Sequence, residues 1–392
     1  MHTHYDYIIA GGGGSGLSLL LALCADPAFA QKRILVIDRD EKTRNDRTWS
    51  FWATPTEYAH MDIPHEDTKC WGHFTVRTDK REIERSFAPY QYYCLRSQDY
   101  YAYVRERVKA CPHVSVDWLQ TSITYLTSGL VETQQGAFTA SWVFSSLPTR
   151  TTIPDYHLDQ RFVGWWIRTE SPVFDPSTVC LMDFREQSPL NFMYILPHTS
   201  TTALVELTAF AADRSRLPAF DTQIKQYLDQ HYPGVCYTIT EREMGNIPMT
   251  NARPLPAPSG VVHLGMAGGC TKATTGYTFK NIQRHSQSIV AALREQRTPT
   301  HWESDRRFAF YDRVLLHLLT HNGAEAADKV FAPVFSAPQV FQFLDERTSL
   351  WQEWGILRRL WWPMFLKAAY ESYFAPTVYH PTHAPTTAYA SS

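Results

Sequence analysis

Apolar and polar residues change their rhythm twice along this chain. A short apolar run, Tyr7-Ile8-Ile9-Ala10, predicts a strand, and Leu17-Ser18-Leu19-Leu20-Leu21-Ala22-Leu23 predicts a buried helix, with a second strand at Ile34-Leu35-Val36-Ile37. Residues 70–97 alternate in strand fashion, 98–110 carry Tyr100, Val104 and Val108 at helical spacing, and strands are expected at 114–116 and, closing this sheet, at 141–147. From about 160 to 250 the texture becomes long strands at hairpin spacing, 162–168, 178–184, 191–196 and 202–210, interrupted by a helix at 222–232. Such strands predict an antiparallel sheet forming a second domain. A strand at 261–264 then enters a glycine-rich turn, and helices are expected at 281–297, 305–320, 339–345 and 350–367.

The first strand leads into Gly11-Gly12-Gly13-Gly14-Ser15-Gly16, where Gly11, Gly13 and Gly16 fall on a G-x-G-x-x-G spacing between strand and helix. The first glycine permits a tight turn, the second lets backbone approach a pyrophosphate, and the third lets helix and strand pack closely, while the helix N-terminus offers free N–H groups. Asp38 ends the second strand, where an acid meets the ribose hydroxyls of a nucleotide. Together these predict a bound dinucleotide held by Gly11, Gly13, Gly14, Ser15, Gly16 and Asp38.

The same cradle serves a nicotinamide dinucleotide or FAD, and the order of elements decides between them. A nucleotide domain left for an antiparallel sheet and re-entered near residue 255 is the layout of FAD-binding oxygenase-like proteins. The expected fold is therefore α/β, with a FAD-binding Rossmann-type domain (1–60, 92–150 and 255–300) and an antiparallel-sheet substrate domain (61–91 and 151–254). A helical region (301–374) and a disordered tail (375–392) follow. Gly265, Gly268 and Gly269 in the second glycine turn join the expected cofactor contacts.

Composition narrows the classes. With 392 residues, 44% of them hydrophobic, the chain can bury a sizeable core. Its net charge of -2 carries no nucleic-acid footprint. Seven scattered cysteines without a C-x-x-C pair argue against a disulfide framework or zinc site, and the histidines, His263 among them, show no metal spacing. No metal is expected, and a reducing compartment is. No run of about 18 apolar residues predicts a spanning helix. The first strand begins close to Met1, so no cleaved leader is expected and the chain is placed in the cytoplasm or peripherally on the inner membrane face.

Several blocks taken together resemble one family, the lycopene cyclases of carotenoid biosynthesis. They are Gly11 to Gly16, Arg47-Thr48-Trp49-Ser50-Phe51-Trp52, Leu95-Arg96-Ser97, Leu181-Met182-Asp183-Phe184-Arg185 and Val205-Glu206-Leu207-Thr208-Ala209-Phe210. Gly245-Asn246-Ile247-Pro248-Met249 and the run from Gly265 through Lys272 to Phe279 continue the series in family order. The resemblance implies cyclisation of the linear ends of lycopene, or a related acyclic carotene, to β-ionone rings. It implies reduced FAD as cofactor without net redox change of the substrate, and NAD(P)H as electron donor. It adds Arg47, Arg96, Thr275, Gly276 and Tyr277 to the cofactor contacts. Two positions depart from pattern. Gly265-Met266 stands where many oxygenase-like flavoproteins carry Gly-Asp, and Leu207 stands where plant-type cyclases have a second acid, leaving Glu206 to act alone or with Asp183.

The chemistry itself asks for a strong acid in a dry pocket, a negative or π-rich surface for a cation, and a base. Glu206, on an apolar strand, is the candidate acid. Asp183 alternates with Phe184 and shares a face with Arg185, as either a second catalytic acid or half of a surface ion pair. Trp165, Trp166, Phe192 and Tyr194 line a polyene tunnel or pack the core. Residues 351–367 interleave tryptophans with Arg358, Arg359 and Lys367, which suits a docked helix or a membrane-interface helix. A flavin-dependent reductase or oxygenase of a prenyl lipid, or a non-catalytic FAD/carotenoid-binding protein, would carry the same cradle.

Overall fold

The computed structural model describes residues 3–185, 190–212 and 217–374; the expected tail, 375–392, lies outside them. Strand Thr3–Ala10 runs through the middle of a seven-stranded sheet, between Arg33–Asp38 and Gly136–Ser145, both parallel to it. Ser115–Gln120 extends the sheet on one side, and Val261–His263 pairs parallel with Gly136–Ser145 on the other. These strands read as unbroken apolar runs because both faces are covered. Ile9, Ile34 and Val36 pack under helix Gly14–Ala25, while Ile8, Leu35 and Ile37 face Val131 and Leu126 of an antiparallel flap. The strand expected to close this sheet, 141–147, is instead central: it starts earlier, in a hairpin with Leu130–Thr133, and Val261–His263 returns beside it.

The second sheet also has seven strands, in the order Tyr237–Thr250, His157–Thr169, Thr202–Ala211, Asn191–Pro197, Thr178–Asp183, His73–Arg77 and Glu82–Ser86. Neighbours are antiparallel except Thr178–Asp183, which lies parallel to His73–Arg77. Tyr237–Thr250 is a full edge strand, additional to the long strands expected between 162 and 210. Its Glu241-Arg242-Glu243 run and Pro248 are tolerated because one side of an edge strand needs no partner. Leu204, Phe210, Trp166 and Phe192 point into the largest core; Ala203, Val205, Leu207 and Trp165 point the other way, onto helix Phe220–His231.

A three-stranded sheet, Thr48–Ala53, Gln91–Arg96 and Lys69–Trp71, separates the two large ones. Alternation divides its side chains: Phe51, Tyr93 and Leu95 join the nucleotide-side core, and Trp52, Tyr92, Cys94 and Trp71 join the core of the second sheet. Helices Arg306–His321, Val340–Leu344, Leu350–Leu357 and Trp362–Phe374 cap that second core with Leu316, Leu318, Phe341 and Met364. The single helix expected at 350–367 breaks between Leu357 and Trp362, just ahead of Pro363, which fits the first turn of a helix and not its interior. Among the described residues no helix is long and apolar enough to cross a membrane.

Candidate active site

The first glycine turn has the geometry a dinucleotide needs. Gly11 adopts φ +113°, and a Cβ there would stand 2.0 Å from Ser146 Oγ; a Cβ on Gly16 would stand 2.1 Å from Gly11 O. Helix and strand therefore approach more closely than any side chain allows. Gly13 is the opposite case, with nothing within 4 Å of its missing Cβ, so the backbone there faces open space. Gly13 also precedes helix Gly14–Ala25, whose N-terminus has no side-chain cap, leaving N–H groups and the positive dipole end for an anion. Asp38 accepts hydrogen bonds from Gly12 N at 2.7 Å and Asp40 N at 2.8 Å, which fixes its carboxylate at the lip of the turn.

The second glycine turn meets the first. A Cβ on Gly265, at φ +58°, would lie 2.8 Å from Ser15 Oγ, and one on Gly268 would lie 2.3 Å from His263 O. From here the chain passes Gly269, then Thr275, Gly276 and Tyr277, into helix Phe279–Arg294, which ties back to the first helix through Gln283 Nε2 donating to Ser18 Oγ at 2.8 Å. Gly276, at φ +73°, faces Gln160 Oε1 2.7 Å from its missing Cβ. Gln160 Oε1, Thr275 Oγ1 and Trp52 Nε1 are buried without hydrogen-bond partners, polar atoms of the kind a bound cofactor satisfies. Arg96 donates from Nη2 to both Glu241 oxygens, at 2.6 and 2.7 Å, stands over the Trp166 ring, and leaves Nε buried and unpartnered. Arg47 is exposed and donates to Asp46 O.

Tyr277 links this turn to the acids. Its hydroxyl shares a 2.7 Å hydrogen bond with Tyr92, which shares another of 2.7 Å with Tyr194. Tyr194 lies directly opposite Glu206 in the second sheet, Glu206 opposite Gly164, and Gly164 opposite Glu243. Residues paired across strands share a face, so two carboxyl groups flank one glycine on the surface turned toward the tyrosines. A Cβ on Gly164 would stand 2.8 Å from Leu204 Cδ1, 3.0 Å from Glu243 Cγ and 3.5 Å from Glu206 Cβ, so the missing side chain leaves room for Leu204 and Glu243 beside Glu206.

Glu206 is buried, and its polar contact is the Thr208 hydroxyl donating at 2.8 Å. Burial, reinforced by the charge of Glu243, pushes its carboxyl well above the usual carboxylate range. Glu243 is half-buried and accepts from Thr48 Oγ1 at 2.6 Å and Trp166 Nε1 at 3.2 Å. Burial and the Glu241 charge raise its carboxyl above the usual range, against the pull of those two donors and of Arg96. Burial keeps the phenols neutral, with Tyr277 pushed up to about 12.

Asp183 is not part of this site. Strict alternation would put it on the face of Val179 and Leu181, but the strand bulges between Cys180 and Asp183, and one extra residue turns Asp183 to the opposite side. There it accepts from Arg185 at 2.9 and 2.6 Å and from Tyr227 at 2.8 Å. Burial opposes its charge, yet these donors outweigh burial and hold its carboxyl below the usual range. The four candidate tunnel aromatics divide likewise. Trp166, Phe192 and Tyr194 face the glutamates' core, whereas Trp165 packs on the back and donates to Asp221 at 2.7 Å.

Sequence reasoning missed Glu243 and Gly164. The available signal was Gly164 itself, a lone glycine in the apolar run Phe162 to Ile167, which marks a close approach.

Two glycine turns converging beneath an antiparallel sheet define the class: an α/β protein with the Rossmann-type flavoprotein fold. Solved structures of that fold superpose over nearly the whole chain. A flavoprotein/dehydrogenase from Cytophaga hutchinsonii matches with a TM-score of 0.63 at 10% identity, covering 94% of this chain and 99% of the other. The flavin-dependent brominase Bmp2 matches at 0.59 and 11% identity (88% and 98%). A geranylgeranyl bacteriochlorophyll reductase-like protein from Thermoplasma acidophilum matches at 0.57 and 11% identity (95% and 97%). No curated protein sequence matches the chain. The profile described as "Lycopene cyclase protein" matches residues 6–370, and the chain belongs to the lycopene cyclase family.

Proposed function

We propose that this protein cyclises the linear ends of lycopene to β-ionone rings, with Glu206 as the acid. The observation that carries this reading is a buried glutamate with no cation paired to it among the described residues, on a sheet face lined by Trp166, Tyr194 and Tyr92 and joined to the second glycine turn by Tyr277. In the proposed reaction the Glu206 O–H bond breaks as a C–H bond forms at the terminal alkene. The cation closes a six-membered ring, and a neighbouring ring C–H loses its proton to the carboxylate, so atoms balance and no electrons leave the substrate. FAD would be held by the glycines of both turns, Ser15, Asp38 and Thr275, with Arg47 and Arg96 near its path. When bound and reduced it supplies a negative, π-rich surface for the cation, and NAD(P)H is the proposed source of electrons.

The carotene dissolves only in lipid, and the C-terminal helices present a matching surface. Their buried stripe, Ile356, Leu360, Met364 and Ala368, docks on the core, while Trp351, Trp354, Trp361 and Trp362 remain outside with Arg358, Arg359 and Lys367. This supports peripheral contact with the inner face of a membrane. The function is tested by incubating the pre-reduced protein with lycopene without oxygen. A ring-containing isomer of unchanged mass is expected. A product of altered mass would make it a reductase or oxygenase, and bound but unaltered lycopene would make it a binding protein.

A further inference from the structure

The second carboxyl group of the site comes from a strand that no adjacent-acid motif includes. Glu206 and Glu243 lie on different strands, on either side of His157–Thr169, with Gly164 in register between them and no side chain there to crowd Glu243. Their surroundings differ. Glu206 is buried and has the single hydroxyl of Thr208, whereas Glu243 is half-buried and accepts from two donors, Thr48 Oγ1 and Trp166 Nε1. A carboxyl group with two hydrogen-bond donors and some access to water keeps a negative charge; one with less of each keeps the proton.

We propose that Glu243 is a positioning residue for the Glu206 proton: its carboxylate, anchored by Thr48 and Trp166 and set beside Glu206 by Gly164, keeps Glu206 in the acid form at neutral pH. This rests on the reading of Glu206 as the acid and extends it to the group that loads it. The other ionisable neighbours leave Glu243 as the charge that matters. Glu241 beyond it is cancelled by Arg96 at 2.6 Å. Cys94, pushed up to about 12 by burial, and Tyr92, Tyr194 and Tyr277 are neutral across the working range. The arrangement resembles two carboxyl groups sharing one proton, where the charge on one disfavours ionisation of the other.

The test reads the proton directly and without substrate. Infrared difference spectra of the purified full chain, unmodified minus Glu206→Gln, isolate the C=O stretch of protonated Glu206, which is then titrated with pH. Glu243→Gln preserves shape and an oxygen that can accept from Thr48 and Trp166 but removes the charge. It is expected to lower the midpoint of the Glu206 band by about one pH unit or more, a tenfold loss in proton affinity. Thr48→Val takes away one donor that favours charge on Glu243, so the midpoint should move the same way by less. It carries the test alone if Glu243→Gln does not fold. An unchanged midpoint in a folded Glu243→Gln protein, or in Thr48→Val if that is the one that folds, overturns the proposal. Failure of the cyclase reading would show separately, as an altered product mass or no product in the oxygen-free assay.

Discussion

The two faces of the second sheet each bury an acid, and the acids are built for opposite ends. On the back face Asp183 is fully enclosed yet held charged, with Arg185 on both its oxygens and Tyr227 donating beside it. On the front face Glu206 has Thr208 and a second glutamate, and burial beside that second charge pushes its carboxyl well above the usual range. Burial is common to both, so burial by itself makes neither a catalyst. A cation nearby turns a buried carboxyl into a structural anchor, and a like charge nearby turns it into a proton store.

The largest effect should fall on the front face. Glu206→Gln is expected to cut cyclisation by about 10⁴-fold, the upper end for general acid catalysis because an alkene is a poor base. Its FAD content and melting temperature should be kept. Asp183→Asn should do the reverse, losing about 2–3 kcal/mol of stability in denaturant titration because the charge opposite Arg185 is gone, with turnover within tenfold.

The contrast also has a pH signature. Glu206 holds its proton to higher pH when folded than when unfolded, so its stabilisation is full below about pH 4.3 and is lost as pH rises through the folded value. Asp183 is shifted down, so its stabilisation is full above about pH 3.9 and is lost as pH falls through the folded value. Melting curves should therefore show Glu206→Gln gaining on the unmodified protein toward alkaline pH. The deficit of Asp183→Asn should shrink toward acid. Parallel curves for all three proteins would contradict the assignment of the two faces. The smallest effect concerns the outer helices: Trp354, Trp361 and Trp362 changed together to Ser should weaken sedimentation with anionic liposomes severalfold while FAD content and melting temperature hold.

How much of this could be read from the sequence depended on the range of the contacts involved. The first glycine turn is local. Gly11 and Gly16 are demanded by atoms of the turn itself and of the strands beside it, so spacing alone located it. The face of Asp183 depends on a bulge, and alternation carried through Leu181 and Met182 without that extra residue puts it on the wrong side. The Glu206–Glu243 pair depends on the register of three strands, which no short motif records. Leu207, where a second acid was missed, points to the back face against helix Phe220–His231, so an acid there would not have met Glu206 on the front. Neighbours in sequence on a strand face opposite ways; neighbours across a sheet face the same way.

If neutral Glu206 starts the reaction, the pH dependence of a single turnover by pre-reduced enzyme must follow the Glu206 proton. The rate should be level at low pH and fall as Glu206 loses its proton, with that falling limb absent from whatever activity Glu206→Gln retains. A rate that rises with pH through the neutral range, or the same falling limb in Glu206→Gln, would contradict it.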